Sequence, residues 1–250
     1  MKIRRFSALV TTLLLMTVVG CSRQSAVTSF TPESKPSRNS PQIGDVAEYS
    51  LTGKAILSRG ATAFSVTGHI TYTVIAPSQQ RELPSYIVRS FEIKEDHLQN
   101  VGGLGGSRRT AWTWLGEDAS GNLYLLGESF DGKKWDLVTN SPLPLYMPAD
   151  MKVGSAWGYA ADFGNGGKES LASRCVGMER IKTPAGEYYA YKLSETVTRT
   201  GFPSVAGYIW VSPDLPHGFE LKMEFSATDP ALVTERVELV IILVSVKRAR

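Results

Sequence analysis

At 250 residues the chain is long enough for one domain or two small ones, with a real hydrophobic core. Its 27 Lys and Arg outnumber its 24 Asp and Glu by three, and Lys2, Arg4 and Arg5 supply that excess within the first five positions, so the remainder is close to neutral. Composition therefore gives no basis for steering toward a polyanion, which excludes nucleic acid as an expected partner.

The first stretch, Met1 to Cys21, begins with that basic cluster, runs through apolar Ala8 to Val19, and ends in Val18-Val19-Gly20-Cys21. A run of about a dozen apolar residues is too short to cross a ~30 Å hydrocarbon core as a permanent helix, so removal after export is expected. The arrangement resembles the signal peptides of bacterial lipoproteins, from which it departs in carrying Val18 where that family usually has Leu. The resemblance implies that residues 1–20 are cut away, that the Cys21 thiol carries diacylglycerol, and that the new amino terminus is acylated by a fatty acid such as palmitate. Ser22, standing where Asp would mark retention, implies sorting to the outer membrane with the folded part facing the periplasm. With Cys21 lipidated, Cys175 has no partner for an intramolecular disulfide and reads as a buried, inert thiol.

Residues 21–42 follow the leader and are rich in Ser, Pro, Thr, Gln, Lys and Arg, too poor in large apolar side chains to offset ordering entropy. They read as a flexible tether with a reach of roughly 25 Å. From residue 43 to 250 the pattern changes to short Val-, Ile-, Thr-, Tyr- and Trp-rich runs separated by Gly, Pro, Asn and Asp, the mark of antiparallel strands. Expected strands are Asp45 to Leu51, Ala63 to Ile75, Ser85 to Lys94, Thr110 to Glu117, Asn122 to Phe130 and Lys133 to Thr139. Turns at Ala119-Ser120-Gly121 and Asp131-Gly132 join the last three into a meander.

Three prolines between Ser141 and Pro148 remove ladder donors and should break any regular element, leaving a crossover between halves at 43–140 and 151–250. Further strands are expected at Lys168 to Lys182, Glu187 to Thr198, Gly207 to Ser212, Phe219 to Phe225 and Leu232 to Val246, and the basic end Lys247 to Arg250 reads as solvated. Ile43-Gly44-Asp45-Val46-Ala47-Glu48-Tyr49 and Val153-Gly154-Ser155-Ala156-Trp157-Gly158-Tyr159 share an apolar-Gly-polar start and a final Tyr, which suggests two lobes opening on the same turn and strand. The fold class is all-β: a curved antiparallel sheet, half-barrel or sandwich-like, with room for two related lobes. Gly154 to Trp157, then Pro184-Ala185-Gly186 with Tyr188, Ala190 and Lys192 alternating after it, then Tyr208 to Pro213, resemble a class of uncharacterised β-rich periplasmic and lipoprotein domains. That resemblance covers Met151 to Phe225, implies a strongly curved sheet and carries no activity with it.

No Gly-x-Ser-x-Gly, His-Glu-x-x-His, Cys-x-x-Cys or phosphate-loop pattern is present. Gly102 to Ser107 reads as a mobile glycine-rich loop. His69, His97 and His217 share no ligand spacing, so no metal and no cofactor is expected; His97, after Glu95-Asp96, reads as part of a solvated turn, and His217 as bonded to backbone. Trp112 with Trp114, and Tyr189 with Tyr191, are same-face aromatic pairs that either fill the core or line a groove. Three functions remain open on sequence. One is a non-catalytic binding or interaction module, its lipid or envelope-protein ligand held by Trp112, Trp114, Tyr189 and Tyr191. Another is a hydrolase of an envelope polymer using Asp162, Glu169 or Glu179, and the last a purely structural envelope component.

Overall fold

β-branched and aromatic runs bounded by glycine and proline become strands throughout, with no helix among the described residues. The structure, a computed structural model, describes residues 40–56, 63–79, 81–102, 105–201, 204–228 and 236–249. The leader, Cys21 and the tether as far as residue 39 lie outside them. The first half of the chain supplies β1 (Val46–Ile56), β2 (Ala63–Ile75), β3 (Ile87–Val101), β4 (Gly105–Asp118), β5 (Leu123–Ser129) and β6 (Trp135–Leu137). A short β7 (Leu145–Met147) follows, and then β8 (Ala156–Asp162), β9 (Lys168–Thr183), β10 (Gly186–Arg199), β11 (Ser204–Val211), β12 (Glu220–Thr228) and β13 (Arg236–Lys247).

These strands form one antiparallel sheet in the order β6-β5-β4-β3-β2-β1-β13-β12-β11-β10-β9-β8, with β7 added to β5. Two meanders are thus joined where the first and last strands meet, from Val46 opposite Lys247 to Ile56 opposite Arg236. The sheet is curved and does not close into a barrel. Its two edges nevertheless touch at one end: an isolated bridge pairs Val138 with Phe163, and the Thr139 amide donates to the Asp162 carbonyl at 2.8 Å.

Alternation along the strands sends Tyr49, Leu51, Ile70, Tyr72, Ile93, Leu193, Met223 and Ile241 to one buried face. Bending a wide sheet around that face crowds backbones where strands cross most sharply, and glycine sits there. A Cβ on Gly53 would lie 2.2 Å from the Glu238 carbonyl oxygen, on Gly68 2.3 Å from that of Leu98, and on Gly207 2.1 Å from that of Glu224. Only a residue without a side chain permits such an approach.

The two similar segments fold alike. Gly44 and Gly154 have φ of 96° and 94°. Each donates its amide to the strand opposite, Gly44 to Val74 and Gly154 to Cys175, and the next residue's carbonyl accepts the return bond, Asp45 from Val74 and Ser155 from Cys175. Tyr49 and Tyr159 then point into the core.

The structure corrects four expectations. The proline-rich crossover contains β7, possible because Pro144 needs only its carbonyl, which accepts from the Leu125 amide at 2.9 Å, to hold the segment beside β5. The second half of the glycine-rich stretch, Gly105 to Ser107, is strand: β3 runs to Val101 and β4 starts at Gly105, and the Gly102 amide donates to the Ser65 carbonyl, residues 103 and 104 lying outside the described residues. Residues 40–42, expected in the tether, are held to the sheet: the buried Ser40 hydroxyl donates to Glu117, and Arg89 donates to the Pro41 carbonyl at 2.7 Å. The basic tail is tied down as well, Arg248 reaching Asp45 at 3.3 Å and the Ser40 carbonyl at 3.3 Å.

Two glycine substitutions separate crowding from backbone conformation. Gly207→Ala, blocked by the Glu224 backbone, should cost about 2–3 kcal/mol. Gly154→Ala, with nothing within 4 Å but a positive φ, should cost about 1–2 kcal/mol. Urea denaturation of the two variants checks both the values and their order.

Candidate functional site

Strand alternation fixes which side chains enter the fold, and at several positions those side chains are polar. On β3 the inward register after Ile93 continues with Glu95, His97 and Gln99; on β10, between Leu193 and Val197, it holds Glu195; on β12 it starts with Glu220, opposite Val211. Glu128 of β5 and Glu169 of β9 complete the set, and all these side chains are buried. Burial is the first cause of the altered acidity of Glu128, Glu169, Glu195 and Glu220. It raises Glu195 to about 8, with the nearby Ser173 hydroxyl opposing, and lifts Glu220 well above the usual carboxylate range, with Glu95 and Glu195 adding repulsion. Glu169 is raised to about 8 by burial and by the charge of Glu128, with Arg199 and Tyr159 opposing.

Arg199 joins two distant parts of the sheet. Its guanidinium donates to Glu128 on β5 and, at 3.2 Å, to Glu169 on β9, and it stacks on Phe130 and Phe163 at 5.1 and 5.2 Å from the ring centres. Tyr159 donates its hydroxyl to the same Glu169 at 2.7 Å. Elsewhere inside, the polar set is less complete: Glu220 Oε2, His97 Nδ1 and Gln99 Oε1 have no hydrogen-bond partner among the described residues.

At one mouth of the inner face lies a depression of about 240 Å³, walled by Met147, Met151, Tyr191, Val211, Leu215 and Phe219. No carboxylate lines it. His217 at its rim is held neutral by burial, which lowers its pKa, and its Nδ1 lies 3.1 Å from the Gly121 carbonyl. A broader groove of about 640 Å³ crosses the outer face over Gly53 and Gly207, bordered by Lys54, Tyr208, Glu224 and Glu238.

The four aromatic residues singled out in the sequence are not brought together. Trp112 and Trp114 alternate with inward Thr113 and Leu115 and so occupy the outer face. There Trp114, 1% exposed, packs edge-on to Trp135 at 6.1 Å, beneath a segment whose Arg81 donates to the carbonyls of Leu126 and Val138. Trp112 lies against Gly132. Tyr191 is on the inner face at the depression, while Tyr189 on the same side has passed the end of the core and is 57% exposed under the Arg180 guanidinium.

The carboxylates considered for hydrolysis do not share a site: Asp162 and Glu169 are neighbours across β8 and β9 but face opposite sides of the sheet. Asp162 pairs with Lys168 at 3.0 Å on the surface, Glu169 is enclosed with Arg199, and Glu179 receives the Trp210 indole N–H on the outer face. His97 corrects the expectation of a solvated turn: it lies mid-strand, 2% exposed, with Nε2 3.0 Å from Glu95, because strand alternation and not local polarity decides its side. His217 bonds to backbone as its turn suggested. Cys175 is buried, and burial raises its thiol pKa. Among the described residues no group of three or more His, Cys, Asp or Glu is placed to hold a metal. Cys21 lies outside them.

Sequence reasoning passed over Glu95, Glu128, Glu195, Glu220 and Arg199. A signal existed: in Leu193-Ser194-Glu195-Thr196-Val197-Thr198-Arg199 the charged residues fall in the register of the apolar ones, where a solvated strand would place them opposite.

Comparison with known protein families and with curated proteins finds no match. Among solved structures, the chain is similar to a protein described as a lipoprotein from Parabacteroides distasonis, with 14% identity, 86% of this chain and 100% of the other covered, and a TM-score of 0.38. It is also similar to one described as an exported protein with a YmcC-like fold from Bacteroides fragilis, with 13% identity, 84% and 98% coverage and a TM-score of 0.34. Likeness at this level bears on neither family nor function.

Replacing Arg199 by Ala leaves Glu128 and Glu169 buried without their cation and should cost about 3–5 kcal/mol, measurable as a drop in denaturation midpoint. Glu195 sets a pH dependence. Its acid is favoured by folding, so the stability it contributes is complete below the ordinary pKa near 4.5 and is lost as pH rises through about 8. The folded chain should therefore be less stable at pH 8.5 than at pH 5, and Glu195→Gln should flatten that slope in denaturation series across pH.

Proposed function

We propose that this chain is a lipid-anchored protein of the bacterial cell envelope, held at the periplasmic side of the outer membrane through Cys21, and that its sheet is a non-catalytic binding module. The anchor rests on the basic start, short apolar run and terminal Cys21 of the leader. Binding is carried by one observation: the depression beside Tyr191 is walled by Met147, Met151, Val211, Leu215 and Phe219 without a carboxylate, the composition of a site that takes an apolar segment and not of one that performs acid-base hydrolysis. Methionine walls adapt to ligands of different shape. The engagement of Asp162, Glu169 and Glu179 by three different cations, Lys168, Arg199 and Lys192, favours the same reading over hydrolysis. An acyl chain, from a lipid or a lipidated envelope protein, fits that chemistry.

The anchor is tested by Cys21→Ser, which should release the protein from the membrane fraction; persistence there with the leader uncut would refute it. The depression is tested with fluorescently labelled lauric acid. Saturable binding is expected, weakened about tenfold by Tyr191→Ala, which corresponds to about 1.4 kcal/mol. Absence of saturable binding, or binding unchanged in that variant, removes the depression as the site.

A further inference from the structure

We propose that one end of the curled sheet, the end that carries the depression and receives the tether, docks directly on the surface of a lipid bilayer. Neighbouring strands are antiparallel throughout, so a single end gathers the starts of β1, β3, β5, β8, β10 and β12 with the finishes of β2, β4, β9, β11 and β13. Ser40, the first described residue, is held at that end by Glu117 and Arg248. Residues 22–39 therefore lead from Cys21 to this end, within the roughly 25 Å reach of such a tether.

Large apolar side chains left exposed gather at the same end. Among the described residues these are Ile43, Val88, Val153, Val176, Met178 and Tyr189, against Leu98, Phe130 and Tyr208 elsewhere. Each has a local cause that the core does not demand. Ile43 and Val153 open the two similar segments and are 59% and 57% exposed, just before the positive-φ turns at Gly44 and Gly154. Val88 and Val176 are the extra residues of bulges in β3 and β9, which take a side chain out of the alternation. Met178 and Tyr189 belong to a hairpin that overhangs the rest of the sheet. β8 and the turn before it hold β9 only as far as Cys175, and β11 holds β10 only down to Tyr191. Past those points β9 and β10, among the described residues, pair only with each other.

An overhang of this composition suits a headgroup layer. Met178 and Tyr189 lie on one of its faces, and the cross-strand partners Ile181 and Tyr188 on the other. Tyrosine serves an apolar surface with its ring and water with its hydroxyl. Arg180 and Lys182 on the same hairpin have stems long enough to carry their charges up to lipid phosphates. Ion pairs here balance in sign, Lys152 with Asp150 at 2.8 Å and Arg180 with Glu187 at 3.3 Å, so zwitterionic lipid is matched without a need for anionic lipid. The exposed apolar residues are also spread along one end from β3 through β1 to β8, which fits a flat, fluid surface better than the compact patch a single protein partner needs.

The proposal deepens the acyl-binding reading. Tyr191 in the wall of the depression pairs with Met178 of the overhang, so an acyl chain leaving the leaflet reaches the depression alongside the hairpin. The tether's direction rests on the anchor reading, whereas the docking surface stands whether or not the depression takes lauric acid.

The test places a thiol-reactive fluorophore at single introduced cysteines: Val153→Cys and Met178→Cys at the docking end, Leu98→Cys toward the other end, and Ala206→Cys on the outer face. All four positions are exposed, so the variants should fold as the parent does, and buried Cys175 takes no label. Acylated protein is reconstituted in phosphatidylcholine vesicles whose acyl chains carry a nitroxide quencher. Quenching at 153 and 178 should exceed that at 98 and 206 by about threefold or more, and Val176→Asp with Tyr189→Asp should lower it at 153. Equal quenching at all four positions, none at any, or quenching confined to 98 and 206 would each overturn the proposal. Intact mass reports acylation of Cys21 and lauric acid reports the depression, so failure of either reading is seen apart from failure of docking. A chain found unacylated is mixed with an excess of the same vesicles, and the same pattern is required of it.

Discussion

A wide antiparallel sheet can fold back on itself only where its backbones are allowed to come close, and here that allowance is made by Gly53, Gly68 and Gly207. All three stand in the inward register at places where a neighbouring carbonyl occupies the position a Cβ would need. Because the sheet curls there, β5 and β10, eight steps apart along the pairing order in one direction, come within reach of a single arginine. The Arg199 contacts, the enclosed Tyr146 and the meeting of the Val138 and Phe163 edges all presuppose that curvature. The strength of any one strand pair matters less than the tightness of its bends.

The curled sheet has an unusual interior. A core of Leu, Ile, Val and aromatic residues would suffice to hold thirteen strands, yet Glu95, Glu128, Glu169, Glu195 and Glu220 are buried with it. Two of them, Glu128 and Glu169, are compensated by Arg199 and Tyr159 and act as a polar clasp near the edges. Glu95 has His97 Nε2 at 3.0 Å, whereas Glu195 and Glu220 form no ion pair with Lys or Arg among the described residues, and burial favours their acid form. Natural interiors tolerate desolvated carboxyls mainly where they are neutralised or employed.

Much of the architecture could be read from the chain. Gly121, Gly132 and Gly186 mark reversals because their positive φ values are open to glycine, and the strands between them follow from alternation. Ala63–Ile75 is a strand with the bounds its β-branched run suggested. What could not be read was the pairing of β1 with β13, since nothing local in either segment names a partner some 190 residues away. The inner polar set was missed for a related reason. Whether Glu95 or Trp114 faces inward depends on register and on bulges such as the one at Trp114 and Leu115, and local hydrophobicity misjudges both. Same-face aromatics looked like one wall from sequence, whereas the curl places Trp112 and Trp114 outside and Tyr191 within.

The partnership of β1 and β13 also constrains how the molecule comes into being. A chain that emerges amino end first exposes the long strand Val46–Ile56 with one hydrogen-bonding side filled by β2 and the other vacant until β13, Arg236–Lys247, arrives. Each meander can assemble from neighbours in sequence, but the central ladder waits for β13, with the slow closure that distant contacts impose. During that interval the vacant side of β1 is the surface most open to pairing with a strange strand, so a holding factor, or rapid delivery of the carboxyl end, would matter more to the yield of this protein than the strength of its finished core.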